Sequence, residues 1–156
     1  MSQANYKVLS LVFRIIIVLL GIIAFVSMFN IQVAYSNGAS GFSTFELVAP
    51  DASLGIRPVV LPLIGYIVIV LATVGSVAMM FVKDMLGGSK INKIIDICLG
   101  VAFVIAGVMV VLSVVWFGLI NNFNDTVLPS APIVACSCAG VAAILSIWVS
   151  FFENKL

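Results

Sequence analysis

Hydrophobic and polar positions alternate in long blocks along this chain. Four nearly uninterrupted apolar runs cover about Val8–Phe29, Val59–Val82, Ile94–Ile120 and Ile133–Phe152. At a rise of 1.5 Å per residue each run makes a helix of roughly 30–40 Å, enough to cross a hydrocarbon core about 30 Å thick. Four transmembrane helices are therefore predicted, joined by outer loops at 30–58 and 121–132 and an inner loop at 83–93. The inner loop is short and holds Gly87-Gly88-Ser89, a turn signal, so spans two and three read as an antiparallel hairpin. Pro62 and Pro132 fall where a first helical turn tolerates a missing N–H. The first run exceeds the 7–15 residues typical of a signal-peptide core and is read as a retained span.

The segment 30–58 has a different pattern. Ile31, Val33 and Tyr35 alternate with Gln32 and Ala34, the period of a strand, and Asn37-Gly38 then marks a turn. Ser43 and Glu46 stand at capping-box spacing and would open a short helix; the alternative is a second strand paired with Ile31–Tyr35. Phe42, Phe45, Glu46, Leu47 and Val48 are the expected interaction surface of this loop. Its apolar members either fold over the helix ends or dock on a partner.

Composition agrees with the pattern. Of 156 residues, 63% are hydrophobic and 8% charged, against roughly 25% charged in a soluble domain. The fold class expected is all-α integral membrane: a four-helix transmembrane bundle forming a single membrane domain, with a structured first outer loop. Lys7, Arg14, Lys83, Lys90, Lys93 and Lys155 lie on one side of such a bundle, while the opposite loops hold only Arg57. Positively charged loops stay in the cytoplasm, so both termini are expected there, in the plasma membrane. A net charge of +1 with no basic stripe argues against nucleic acid.

Candidate chemistry is sparse. With no hydrophobic drive between helices in lipid, contacts form where small residues allow close approach. Ala72 and Ser76 in span two, Gly100, Ala102, Ala106 and Gly107 in span three, and Ala135, Ala139, Gly140 and Ala143 in span four are the expected packing positions. Whether they pack within one bundle or between copies is open at this stage. Arg14 and Asp96 are the ionisable residues most clearly inside apolar runs, both toward the cytoplasmic side. They form an ion pair tying span one to span three, or else Arg14 snorkels to the headgroups and Asp96 lies in the interface. The chain lacks histidine, and Cys98, Cys136 and Cys138 read as packing residues. No catalytic, metal or cofactor site is expected. Thr73, Ser76, Ser113 and Ser146 read as hydroxyls bonded to carbonyls of their own helices. Trp116 and Trp148 fit interfacial belts, and Asn124-Asp125-Thr126 matches a glycosylation sequon.

The order of inner tail, long strand-prone outer loop, inner hairpin, short outer loop and inner tail resembles the claudin-like tetraspan plan. The claudin loop signature of Trp, Gly-Leu-Trp and two cysteines has no counterpart in 30–58, so paracellular roles do not carry over. The Gly41–Val48 element is similar to one in small bacterial four-span proteins without an assigned function. The function expected is non-enzymatic: association with itself or with a larger membrane complex, in contact with the lipid bilayer and a protein partner. The alternative is a transport component, an oligomeric channel or an accessory subunit.

Overall fold

A computed structural model describes residues 3–36, 41–50, 53, 55–82, 89–122 and 125–153. The Asn37-Gly38 turn, the Gly87-Gly88 linker, Lys83, Asn124 and Lys155 lie outside the described residues. Helix α1 (Gln3–Val26) ends in a 3₁₀ turn, Ser27–Phe29, and leads into strand β1 (Ile31–Tyr35). Strand β2 (Phe42–Ser43) and the short helix α2 (Thr44–Val48) follow, then α3 (Leu61–Val82), α4 (Ser89–Val111), α5 (Ser113–Asn121), strand β3 (Thr126–Val127) and α6 (Ser130–Glu153).

Four helices are long and apolar enough to cross a membrane, within Lys7–Phe29, Leu61–Val82, Lys90–Val111 and Ser130–Phe151. Each turns large apolar side chains outward, among them Leu19, Leu71, Ile105 and Ile144. A water-exposed bundle would bury such a surface. The helices close a ring in which α1 packs on α3, α3 on α4, α4 on α6 and α6 on α1. That leaves α1 and α4 facing each other across the diagonal.

Small residues make the seams. A methyl group added at Gly100 would stand 3.1 Å from the Ala143 carbonyl oxygen, and one at Gly107 would stand 3.4 Å from Ala139 Cβ, so α4 and α6 meet nearly backbone to backbone. Ala106, Ala135, Ala139 and Ala143 are buried in the same core, Ala72 and Ser76 are buried on α3, and Ala102 packs against the core half-buried. Gly140 does not share in this packing, because the space beside it is open.

The segment after α1 folds into a cap, and the chain is therefore not purely helical. β1 is the central strand of a three-stranded antiparallel sheet ordered β2-β1-β3. Val33 pairs with Phe42, and Tyr35 with Thr126. The strand and helix alternatives for 41–48 both occur, in sequence: two residues of strand, then a helix capped by Ser43 Oγ, which accepts from the Glu46 N–H at 3.4 Å. Gly41 makes the first pairing possible, since any side chain there would run into the Val33 backbone carbonyl. Val33, Phe42, Leu47, Val59 and Phe117 form a second apolar core between sheet and bundle.

Span three is not one helix. The chain leaves helical geometry at Leu112 (φ −85°, ψ 14°), and Ser113 Oγ donates to the Val110 carbonyl at the break. α5 carries Phe117 onto Phe42, with ring centroids 5.5 Å apart. The other apolar runs also extend into flanking polar residues. α1 begins at Gln3, α4 at Ser89 and α6 at Ser130, before the expected starts, while α3 begins two residues after its expected start. Hydropathy marks what lipid accepts, whereas backbone hydrogen bonding continues into the flanks.

Candidate functional site: an ion pair across the bundle

Arg14 and Asp96 meet in the interior. Arg14 Nη1 donates to Asp96 Oδ1 at 3.1 Å and Nη2 to Oδ2 at 2.9 Å, a two-pronged pair with both side chains almost wholly buried. Because α1 and α4 stand on the diagonal, the pair passes through the axis of the bundle. Planar guanidinium and carboxylate groups match in this geometry, which makes it among the stronger hydrogen-bonded contacts available. By helical rise Arg14 lies about 10 Å beyond Lys7 and Asp96 about 5 Å beyond Lys93, placing the pair on the tail side of the bundle's middle.

The surrounding layer is polar as well. Ser10 on α1, Ser76 on α3, and Ser146 and Ser150 on α6 are all buried. Ser146 Oγ donates to the Asp96 backbone carbonyl at 2.9 Å, linking α6 to α4, although its sequence pattern suggested a bond within its own helix. Ser76 and Thr73 do bond within their own helix, to the Ala72 and Ile69 carbonyls. At the rim Lys93 Nζ lies 4.8 Å from the Phe151 ring centroid, an attraction between cation and ring quadrupole.

A second polar tie at the cap end has no counterpart in the sequence reading. Gln32, the polar residue between Ile31 and Val33 of β1, is completely buried. Its Oε1 accepts from the Tyr66 hydroxyl at 2.7 Å, and its Nε2 donates to the Ser27 and Asn30 carbonyls at 2.8 and 3.0 Å. Tyr66 carried the usable signal, because a phenol inside an apolar helix requires a polar partner. Nearby, Thr44 Oγ1 donates to the Met28 carbonyl at 2.9 Å and holds α2 to the end of α1.

The five loop residues expected to interact divide. Phe42 and Leu47 belong to the cap core, Val48 is half-buried, and Phe45 and Glu46 are exposed. Trp116 is also drawn inward: its indole N–H donates to the Met109 carbonyl at 3.0 Å and the ring packs on the cap core. Trp148 is exposed beside Phe13. Cys98 is exposed, Cys136 and Cys138 are half-buried, and all three are free thiols. Among the described residues no three of Cys, Asp and Glu come together as a metal site would require. A shallow groove between α1 and α3, lined by Gly21, Ile22, Phe25, Val70, Thr73 and Val74, presents an apolar surface.

No protein-family model matches the chain, and neither a curated protein nor a solved structure is similar to it.

Proposed function

We propose that this chain is a non-enzymatic integral membrane protein that works by association, with itself or as a small subunit of a larger membrane complex. The observation that carries this reading is that the largest buried polar groups pair with one another inside the bundle and cap. Arg14 and Asp96 satisfy each other, Gln32 and Tyr66 do likewise, and Ser76 and Ser113 bond carbonyls of their own helices. Transport or catalysis in a membrane calls for polar groups presented to a pathway or a substrate. Here the hydroxyls of Ser76 and Ser113 are buried and bonded to carbonyls of the bundle, which weighs against an oligomeric pore lined by them.

What remains for function is the outer surface. The groove over Gly21 and Thr73 is where a partner helix would approach this bundle closely, the way helices associate in lipid. The Lys/Arg distribution orients the bundle with both termini in the cytoplasm and the cap outside, in the plasma membrane. Native mass spectrometry of gently extracted protein tests the reading. A homo-oligomer or a second protein at fixed stoichiometry is expected, and it should be lost in Val74→Trp, which fills the groove without entering the α1–α3 seam. A strictly monomeric chain with no companion would overturn it.

A further inference from the structure

The cap end of α1 carries a ladder of three aromatic rings. Phe25 and Phe29 have centroids 5.7 Å apart, edge to face, and Phe29 and Phe45 are 5.9 Å apart. Phe25 belongs to the apolar surface of α1 within the stretch that crosses the membrane. Phe29 is 59% exposed and Phe45 50% exposed, although each touches the next ring. The ladder therefore carries the lipid-facing surface of α1 upward onto α2 without a polar break.

The geometry of α2 makes this a fixed feature. Thr44, buried and bonded to the Met28 carbonyl, pins the start of α2 to the last turn of α1. Leu47 is locked in the cap core, so the rotation of α2 about its axis is set and Phe45 is held against Phe29. Glu46, one residue further round the helix, is exposed and suits the wet side of such a position. A half-exposed phenylalanine two ring contacts from a lipid-embedded one matches the boundary between acyl chains and headgroups, where amphipathic helices lay their apolar faces.

We infer that α2 lies on the outer leaflet of the membrane its own bundle crosses, with Phe45 and Phe29 inserted among the upper acyl chains. The cap is then seated on lipid along one side and does not stand clear in water. The inference rests on the four-span reading above, and the experiment separates the two.

p-Benzoylphenylalanine, which forms a covalent bond to neighbouring C–H groups on irradiation, would replace Phe45, Phe29, Ile105 or Ser36 one at a time. Each protein would be reconstituted in phosphatidylcholine–phosphatidylglycerol liposomes, irradiated and weighed intact. Ile105, exposed on α4 away from the α1–α3 groove, reports on membrane insertion, and Ser36, exposed at the end of β1, reports on water. Phospholipid adducts are expected at Ile105, Phe45 and Phe29, with at most a tenth of that yield at Ser36. Adducts at Ile105 with none at Phe45 and Phe29 would overturn the inference and leave the four spans standing. Cross-links from Phe45 to a second copy would overturn it in favour of a protein partner. Absence of lipid adducts at Ile105 would overturn the four-span reading and the inference together.

Discussion

Replacing Asp96 by Asn removes one charge from a pair that has no access to water. The substitution keeps the shape of the side chain and an acceptor for Arg14 Nη1, but it loses the carboxylate that Nη2 reaches at 2.9 Å. The guanidinium is then left charged among Ser10, Ser146 and the apolar core, with only 2% of its side-chain surface exposed. Breaking a buried pair from one side costs about 3–5 kcal/mol, whereas replacing both partners by apolar residues is often neutral or stabilising. Asp96→Asn, Asp96→Leu and Arg14→Leu are therefore each expected to cost about 3–5 kcal/mol, and the double variant R14L/D96L close to nothing. The coupling in that double-mutant cycle should be several kcal/mol and opposite in sign to the single effects. Steric-trapping measurements of unfolding in bicelles read these differences directly. Single variants that cost under about 1 kcal/mol, or a double variant that costs the sum of its parts, would show the pair to be solvated and the reasoning wrong.

The cap-end tie is tested by Tyr66→Phe, which strands Gln32 Oε1 in a buried site and should cost about 1–3 kcal/mol in the same assay; no change would mean that water reaches Gln32. Two glycines separate packing from open space: Gly100→Leu should disrupt the α4–α6 seam and lower thermal stability in detergent sharply, while Gly140→Leu should stay within about 0.5 kcal/mol of the parent. Within the loop, Phe42→Ala should cost about 3–5 kcal/mol, as expected for a truncated core aromatic, while Phe45→Ala leaves the cap core intact. Orientation is read in a cysteine-free background, where Ser36→Cys should react with a membrane-impermeant maleimide on intact cells and Lys90→Cys should react only after permeabilisation.

The long helices were legible because lipid imposes one requirement, an apolar run of sufficient length, and that shows directly in composition. Their ends were less so: Ser89 and Ser130 are helical although polar, since the backbone pattern persists past the hydrocarbon. The break at Leu112 left no trace in hydropathy, because apolar residues continue on both sides of it. Beyond the break α5 sets Phe117 against Phe42, and Ser113 Oγ donates to the Val110 carbonyl beside it. Alternation located β1, but it did not show that Gln32 is buried along with Val33. The strand runs between the bundle top and the cap core, and both of its faces are covered near its start. Of the candidate site, Arg14 and Asp96 stood out as charges inside apolar runs, but only the ring order of the helices shows that their bond crosses the diagonal.

That diagonal position gives the pair a job which the small-residue seams cannot perform. Seams at Gly100, Gly107 and Gly65 let neighbouring helices approach, but apolar faces in lipid discriminate poorly between one rotation of a helix and the next. A charge pair discriminates sharply. Shifting Asp along α4 by a single residue turns it through about 100° and moves it about 1.5 Å along the axis, out of the centre and toward a seam or the lipid. Ile95 and Ile97, the two flanking positions, are both half-buried, so neither faces the axis as Asp96 does. The permuted variants I95D/D96I and D96I/I97D keep the composition of the chain unchanged. If the pair pins the register of α1 against α4, both should lose at least as much stability as Asp96→Asn, because Arg14 loses its carboxylate and the displaced carboxylate loses Arg14. If any carboxylate near this depth sufficed, one permutation would recover the parent stability, and the pair would be a neutralising contact with no part in specifying the fold.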